Sequence, residues 1–252
     1  VDALHTPLDE ILDTYVRDGL VHYRALQGSR ARLDRYIASL DVSPAAYASW
    51  PRGQQAALWL NAYNALVLRT VVDHYPIRGR SGDYPRDSIR QVPGAFDRTL
   101  WRVAGRSVTL DAIEQRVLPT FGDPRMYFAL GRGAVGGGRL RSEAFSAGRL
   151  EEQLADVEAE CPRRAGCALL DRTAATLTVS PIFSWRSDEF VAVYAGRTGA
   201  IFAARSPIER AIVGFLLPHV TPTERDELAQ ERVRIAFGSF DWRLNDLGGR
   251  PR

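Results

Sequence analysis

Apolar positions recur at helical spacing through the first third of this chain and in short, strand-like runs further on. "TPLDEILDTYV" places Pro7 just inside a helix start with acids in the first turn, and Gly19 reads as the stop, so it predicts a first helix. "SRARLDRYIASL" predicts an amphipathic second. "GQQAALWLNAYNALVLRTVVDHYP" predicts a long helix ended by Pro76 and apolar on nearly every side, the pattern of a helix buried in the middle of a domain. Residues 78–98 are rich in Gly, Pro, Arg and Asp and predict a flexible loop.

The second half reads differently. "TLWRVAGRSVTL" predicts two short strands turning at Ala104-Gly105, with a helix "DAIEQRVLPTF" after them. "MYFAL" predicts a strand running into a glycine-rich loop, and "SAGRLEEQLADVEAEC" a helix with Ser146 as N-cap. "ATLTVSPIFSW" reads as a strand, "SPIERAIVGFLLPHV" as a helix, and "VRIAFGSFDWRLND" as a closing strand and tight turn. Helices in front and scattered strands behind suit an α+β fold better than regular βαβ alternation. The expectation is a single domain over residues 1–252, with a helical part at about 1–76 and a mixed part at about 99–252. The 252 residues, 45% of them hydrophobic, suffice for a substantial core.

Gly131, Gly133 and Gly136 in "GRGAVGG" satisfy G-x-G-x-x-G. A dinucleotide loop, however, opens a helix at its second or third glycine, and no helix start precedes Ser146. The spacing therefore speaks against a nucleotide site. The charge balance, 33 basic minus 30 acidic or +3, is spread along the chain, so nucleic acid is not an expected partner. Every basic side chain is Arg, which excludes Schiff-base chemistry and a P-loop lysine. No apolar run approaches the ~20 residues of a membrane helix. The chain starts at Val1 and not at Met, and the expectation is a periplasmic or secreted protein whose signal peptide has been removed. Cys161 and Cys167 in "CPRRAGC" flank a short turn. Bridged, they would close a tight loop and contribute about 2–3 kcal/mol, and two reduced thiols are the alternative.

The stretches "LVHYRAL", "LWLNAYNALVL", "HYPI", "SIRQV", "GRSVTLDAIEQRVL", "DPRMYFAL", "RLRSEAF", "SPIFSWRSDEF" and "FDWRLND" occur in the order and spacing of the DUF547 family, which the chain resembles over about residues 8–247. The family has no settled activity. Its likeness to papain-like and transglutaminase-like cysteine enzymes implies a buried central helix packed on a small, mainly antiparallel sheet. The resemblance also implies two cysteines where this chain has Arg132 and Gly137, and histidines where it has Tyr127 and Gln115. A cysteine nucleophile needs a thiolate and a base within reach, and none of those groups is present at these positions. The glycine run thus reads as a loop that has lost its chemistry and gained flexibility.

The polar groups that remain define the candidate site. Asn61 and Asn64 lie three apart on one face of the long helix, and buried amides must be hydrogen-bonded, either to neighbouring backbone or to a ligand. Arg125, Arg132, Arg139 and Arg141 bracket the loop, where guanidinium forks and backbone N–H groups hold anions. The candidate ligand-binding residues are Asn61, Asn64, Arg125, Tyr127, Gly131, Arg132 and Arg139, with Arg132 neutralised by a bound anion or by an internal acid such as Asp111 or Glu114. No metal ligand set, cofactor or catalytic residue is assigned. Asp241, Trp242 and Asn245 are read as locking the C-terminal turn. Three readings stand side by side. The first is a catalytically degenerate module that binds a small anionic molecule or a protein partner. The second is a hydrolase or transferase acting on an amide or ester through a non-cysteine nucleophile such as Ser142 or Tyr127, with His22 or His74 as base. The third is a purely structural module.

Overall fold

The computed structural model describes residues 2–230 and 232–248. It is α+β, with several short helices and small, mainly antiparallel sheets. Internal contacts gather into two compact units. The first comprises residues 1–121, 129–153 and 242–252, and the second residues 122–128 and 154–241.

In the first unit, α1 (Thr6–Tyr15) leads into a hairpin of β1 (Val16–Arg17) and β2 (Leu20–Val21). Asp18 and Gly19 both take positive φ, as the two-residue turn of such a hairpin requires. Gly19 therefore turns the hairpin and is not the stop of α1. Then come α2 (Tyr23–Gly28), α3 (Arg30–Ser39), α4 (Pro44–Ser49) and α5 (Arg52–His74). The last is buried from Ala56 through Leu68, on all sides. Its neighbours within the unit are α2, α3 and helical turns, while the largest sheet lies in the second unit. Strands β3 (Trp101–Val103) and β4 (Arg106–Val108) form the expected hairpin at Ala104-Gly105. A helical stretch follows as α6 (Leu110–Ala112), a π turn at Ile113–Val117 and a 3₁₀ turn at Leu118–Phe121.

The segment 78–98 is irregular, as expected, but it is laced together. The Gln91 amide donates to the Ser81 and Tyr84 carbonyls at 2.9 Å each. Arg90 stacks over Phe96 and Trp242, 4.5 and 4.4 Å from the ring centres. Asn245 accepts from Tyr23 Oη at 2.7 Å and donates to the Gly19 carbonyl at 2.8 Å. Trp242 and Asn245 thus lock the C-terminal segment onto the unit.

His5 is 1% exposed, with Nδ1 2.9 Å from Tyr36 Oη and Nε2 without a hydrogen-bond partner. Burial lowers its pKa to about 4, against a smaller upward pull from Asp2. The unfolded chain then binds the proton more tightly than the fold. Stability is full above the ordinary histidine pKa of about 6.5 and declines as pH falls towards 4, by about 2–3 kcal/mol at pH 4.5. Urea unfolding at pH 7 and pH 4.5 should show that loss in wild type and a clearly smaller one in His5→Gln. Parallel losses in both would assign the acid sensitivity elsewhere.

In the second unit, α7 (Leu150–Glu160), whose first turn is counted with the first unit, leads to β5 (Ala168–Asp171) and β6 (Thr176–Val179). Helices α8 (Ile182–Trp185), α9 (Ser187–Tyr194), α10 (Pro207–Leu216) and α11 (Pro222–Leu228) precede β7 (Arg234–Phe237). The sheet order is β5-β6-β7, antiparallel between the first pair and parallel between the second. Phe128, Phe183, Phe190 and Phe215 make the core, with ring centres as close as 4.7 Å. Cys161 and Cys167 are disulfide-bonded.

Three local expectations are corrected. "MYFAL" is not a strand: Pro124–Phe128 form a 3₁₀ turn, because Asp123 accepts from the Arg125 and Met126 N–H groups and starts a tight turn. Ser146 makes no side-chain cap, since its N–H is taken by Gln153 Oε1 at 3.0 Å and a 3₁₀ turn, Ala147–Arg149, intervenes before α7. In "ATLTVSPIFSW" the strand stops at Val179, and Pro181 opens α8.

Candidate functional site

The two asparagines of α5 face backbone. Asn61 donates to the Phe145 carbonyl at 2.8 Å and accepts from the Phe145 N–H at 2.9 Å. Asn64 donates to the Ala129 carbonyl at 3.1 Å and accepts from the Gly131 N–H at 2.9 Å. Each amide closes a two-bond clamp of the kind a neighbouring strand would supply, so chain segments on either side of the glycine loop are held against the helix.

Between the clamps the loop is compact. The Gly138 N–H bonds the Leu130 carbonyl at 2.9 Å, and the Ala134 and Gly137 N–H groups bond the carbonyls of Gly131 and Ala134. Val135 donates to the Arg243 carbonyl at 2.9 Å. Gly131, Arg132, Gly133, Ala134, Gly137 and Gly138 are buried. The loop read as flexible is tightly packed, and several of its glycines serve close approach.

Arg132 occupies its centre. Its backbone takes φ 51°, and its side chain is 2% exposed. Nη2 donates to Glu114 Oε1 at 2.7 Å, Nε to Glu114 Oε2 at 3.3 Å, and Nη1 to the Leu130 carbonyl at 3.3 Å. Glu114 reaches in from the π turn and also accepts from Tyr63 Oη at 3.2 Å. Burial first, and then the Glu114 charge, hold the Tyr63 phenol well above its usual pKa, so it stays protonated and donates. Arg132 is thus neutralised by one of the two acids considered for it. Tyr63 lies in the all-round apolar run of α5, and its helical spacing carries no signal of its place in this cluster.

The remaining candidates have other partners. Arg139 is 3.6 Å from Asp18 and lines a cleft of about 360 Å³ with Asp9, Asp13, Arg141, Ser142, Glu143 and Arg149. Glu143 bridges Arg141 and Arg149 at 2.7 and 2.9 Å, and these partners lower its pKa against the upward pull of burial. Arg125 and Tyr127 belong to the second unit. There Arg125 pairs with Asp123 at 2.7 Å, while Tyr127 donates to Glu189 at 3.2 Å beneath the Arg186 guanidinium. His74, the last residue of α5, has Nδ1 2.8 Å from the Thr70 carbonyl, and His22 is exposed. Among the described residues no group of three His, Cys, Asp or Glu side chains is placed to hold a metal. No helix among them is long and apolar enough to cross a membrane.

A family model described as "Protein of unknown function, DUF547" matches residues 47–160. Asn61, Tyr63, Asn64, Glu114 and the glycine loop all fall within the stretch that is similar to that family. No curated protein and no solved structure gives a match.

Proposed function

We propose that this chain is an exported, non-catalytic DUF547 domain that binds a small anion, or an anionic group of a protein partner, in the cleft of Arg139, Arg141, Ser142 and Arg149. The observation that carries the reading is the buried Arg132–Glu114 pair. At the position where the family resemblance implies a thiol there is a guanidinium already satisfied from within, so the loop supports neither a nucleophile nor an open anion hole. That moves the anion from Arg132, where the sequence suggested it, to the more exposed arginines beyond the loop.

The cleft suits a weakly held anion. Arg139 faces Asp18, which is 92% exposed, and Arg149 pairs with the exposed Glu152. Solvent-exposed pairs of this kind hold each other weakly, so a ligand carboxylate, phosphate or sulfate displaces the side-chain acid at little expense. The Ser142 hydroxyl adds a donor at the same wall. Thermal unfolding with sulfate, phosphate and small carboxylates at matched ionic strength tests the reading. At 100 times its Kd an anion should stabilise the wild type by about 2.7 kcal/mol, and the Arg139→Ala/Arg149→Ala double variant should lose that gain. Equal gains in the two proteins would sink the cleft.

A further inference from the structure

We propose that a second cleft, between β5, β6, α10 and α11, is a binding site for a short aliphatic group attached to a cationic head. It lies wholly beyond the family-matched residues and does not depend on the anion cleft. Its volume is about 210 Å³, and Ala168, Leu170, Leu177, Leu216, Val220 and Leu228 line it. A smaller apolar cavity, of about 150 Å³, lined by Leu, Ile and Phe stays dry and accepts benzene. This cleft is half open and has a polar rim, but an alkyl chain laid along its aliphatic side chains still removes apolar surface from water.

The rim selects the head group. Arg172 and Glu224 stand at the mouth. Arg172 Nε donates to Glu227 at 2.9 Å, and its Nη2 is 3.9 Å from Glu224. Glu227 is not part of the lining but holds Arg172 closely, so the Glu224 carboxylate that lines the cleft is compensated only at 3.9 Å, and it attracts a cation and repels a carboxylate. Glu224 also accepts from the Thr221 N–H and hydroxyl in the capping box of α11, so its carboxylate is fixed in place.

Hexylammonium, 1-hexanol and hexanoate share one chain and differ in charge, and calorimetry or saturation-transfer NMR with the three compounds tests the inference. Hexylammonium should bind the full chain with a Kd of roughly 1 mM, and hexanoate about fivefold more weakly or not at all. Ala168→Phe fills the cleft and should abolish binding of all three. Glu224→Gln keeps the capping geometry and removes the charge, so it should bring hexylammonium and hexanoate within about twofold of each other. No binding of hexylammonium to folded wild type overturns the inference, and so does hexanoate binding as tightly as hexylammonium. If Ala168→Phe does not fold, the Glu224→Gln comparison still decides, because an unchanged preference there removes the rim from the explanation.

Discussion

Glu114→Ala is expected to destabilise the fold by about 3–5 kcal/mol, as removal of one partner from a buried ion pair does. The guanidinium of Arg132 is 2% exposed, and Glu114 takes two of its donors. Without that carboxylate the buried guanidinium loses two charge-assisted hydrogen bonds, and Tyr63 Oη loses the acceptor it has at 3.2 Å. Arg132→Met should be comparably costly, since it removes two charge-assisted hydrogen bonds from the buried Glu114 carboxylate. The informative protein is the double variant Glu114→Met/Arg132→Met, because swapping a whole buried pair for apolar groups of similar volume is often neutral or stabilising. Urea unfolding of the four proteins gives the cycle. The single variants should be clearly weakened and the double variant should recover most of the loss. A single-variant effect below about 1 kcal/mol would mean that Arg132 finds water, and would reopen this position as a ligand site.

What was legible in the chain follows from how local each signal is. The buried α5, the hairpin at Ala104-Gly105 and α10 with its Ser206/Glu209 capping box are each written within a short window: all-round apolarity, a two-residue turn, a cap followed by Pro and Glu. "MYFAL" failed because its apolar content suits a strand, while its neighbours Asp123 and Pro124 fold the start of it into a turn. The rest of that stretch bonds to the Asn64 side chain in place of a strand partner. Strand β5 and helix α9 were not anticipated. "ALLD" is too short to show alternation, and "SDEFVAVY" adjoins a strand-like run that its own apolar residues extend.

The site shows the same division. That Asn61 and Asn64 are paired on one face is read from a spacing of three. What they clamp lies 65 to 84 residues away in sequence, and no local pattern names it. The contact of Arg132 with Glu114 depends on the π turn at Ile113–Val117 and on the left-handed backbone of Arg132 itself. Both are tertiary outcomes. An arginine in a glycine-rich loop looks solvated by composition, and here it is among the most buried side chains.

Gly137→Ala is expected to be nearly as damaging, at about 3 kcal/mol or more, although it adds one methyl group. A Cβ at 137 would stand 2.2 Å from the Gly131 oxygen, 2.8 Å from the Gly131 carbonyl carbon and 3.2 Å from the Ala134 oxygen. All three obstacles are backbone, so no side-chain rotation relieves them. The backbone cannot retreat cheaply either. Gly138 is bonded to Leu130, and the Asn64 clamp fixes Ala129 and Gly131 to α5, so opening the loop means leaving buried donors and acceptors unmet. Gly148→Ala is the control: its added Cβ meets nothing within 4 Å, and its effect should stay within about 0.5 kcal/mol. Gly137→Cys should fail as Gly137→Ala does, because the obstacle is the first carbon and not the thiol. The family resemblance implies a cysteine at this position, and by the same clash restoring the thiol here should not restore a folded loop. Chemical denaturation of the three variants is sufficient. If Gly137→Cys unfolds at the wild-type midpoint, the loop opens more readily than its packing implies, and the case for a lost catalytic site falls with it.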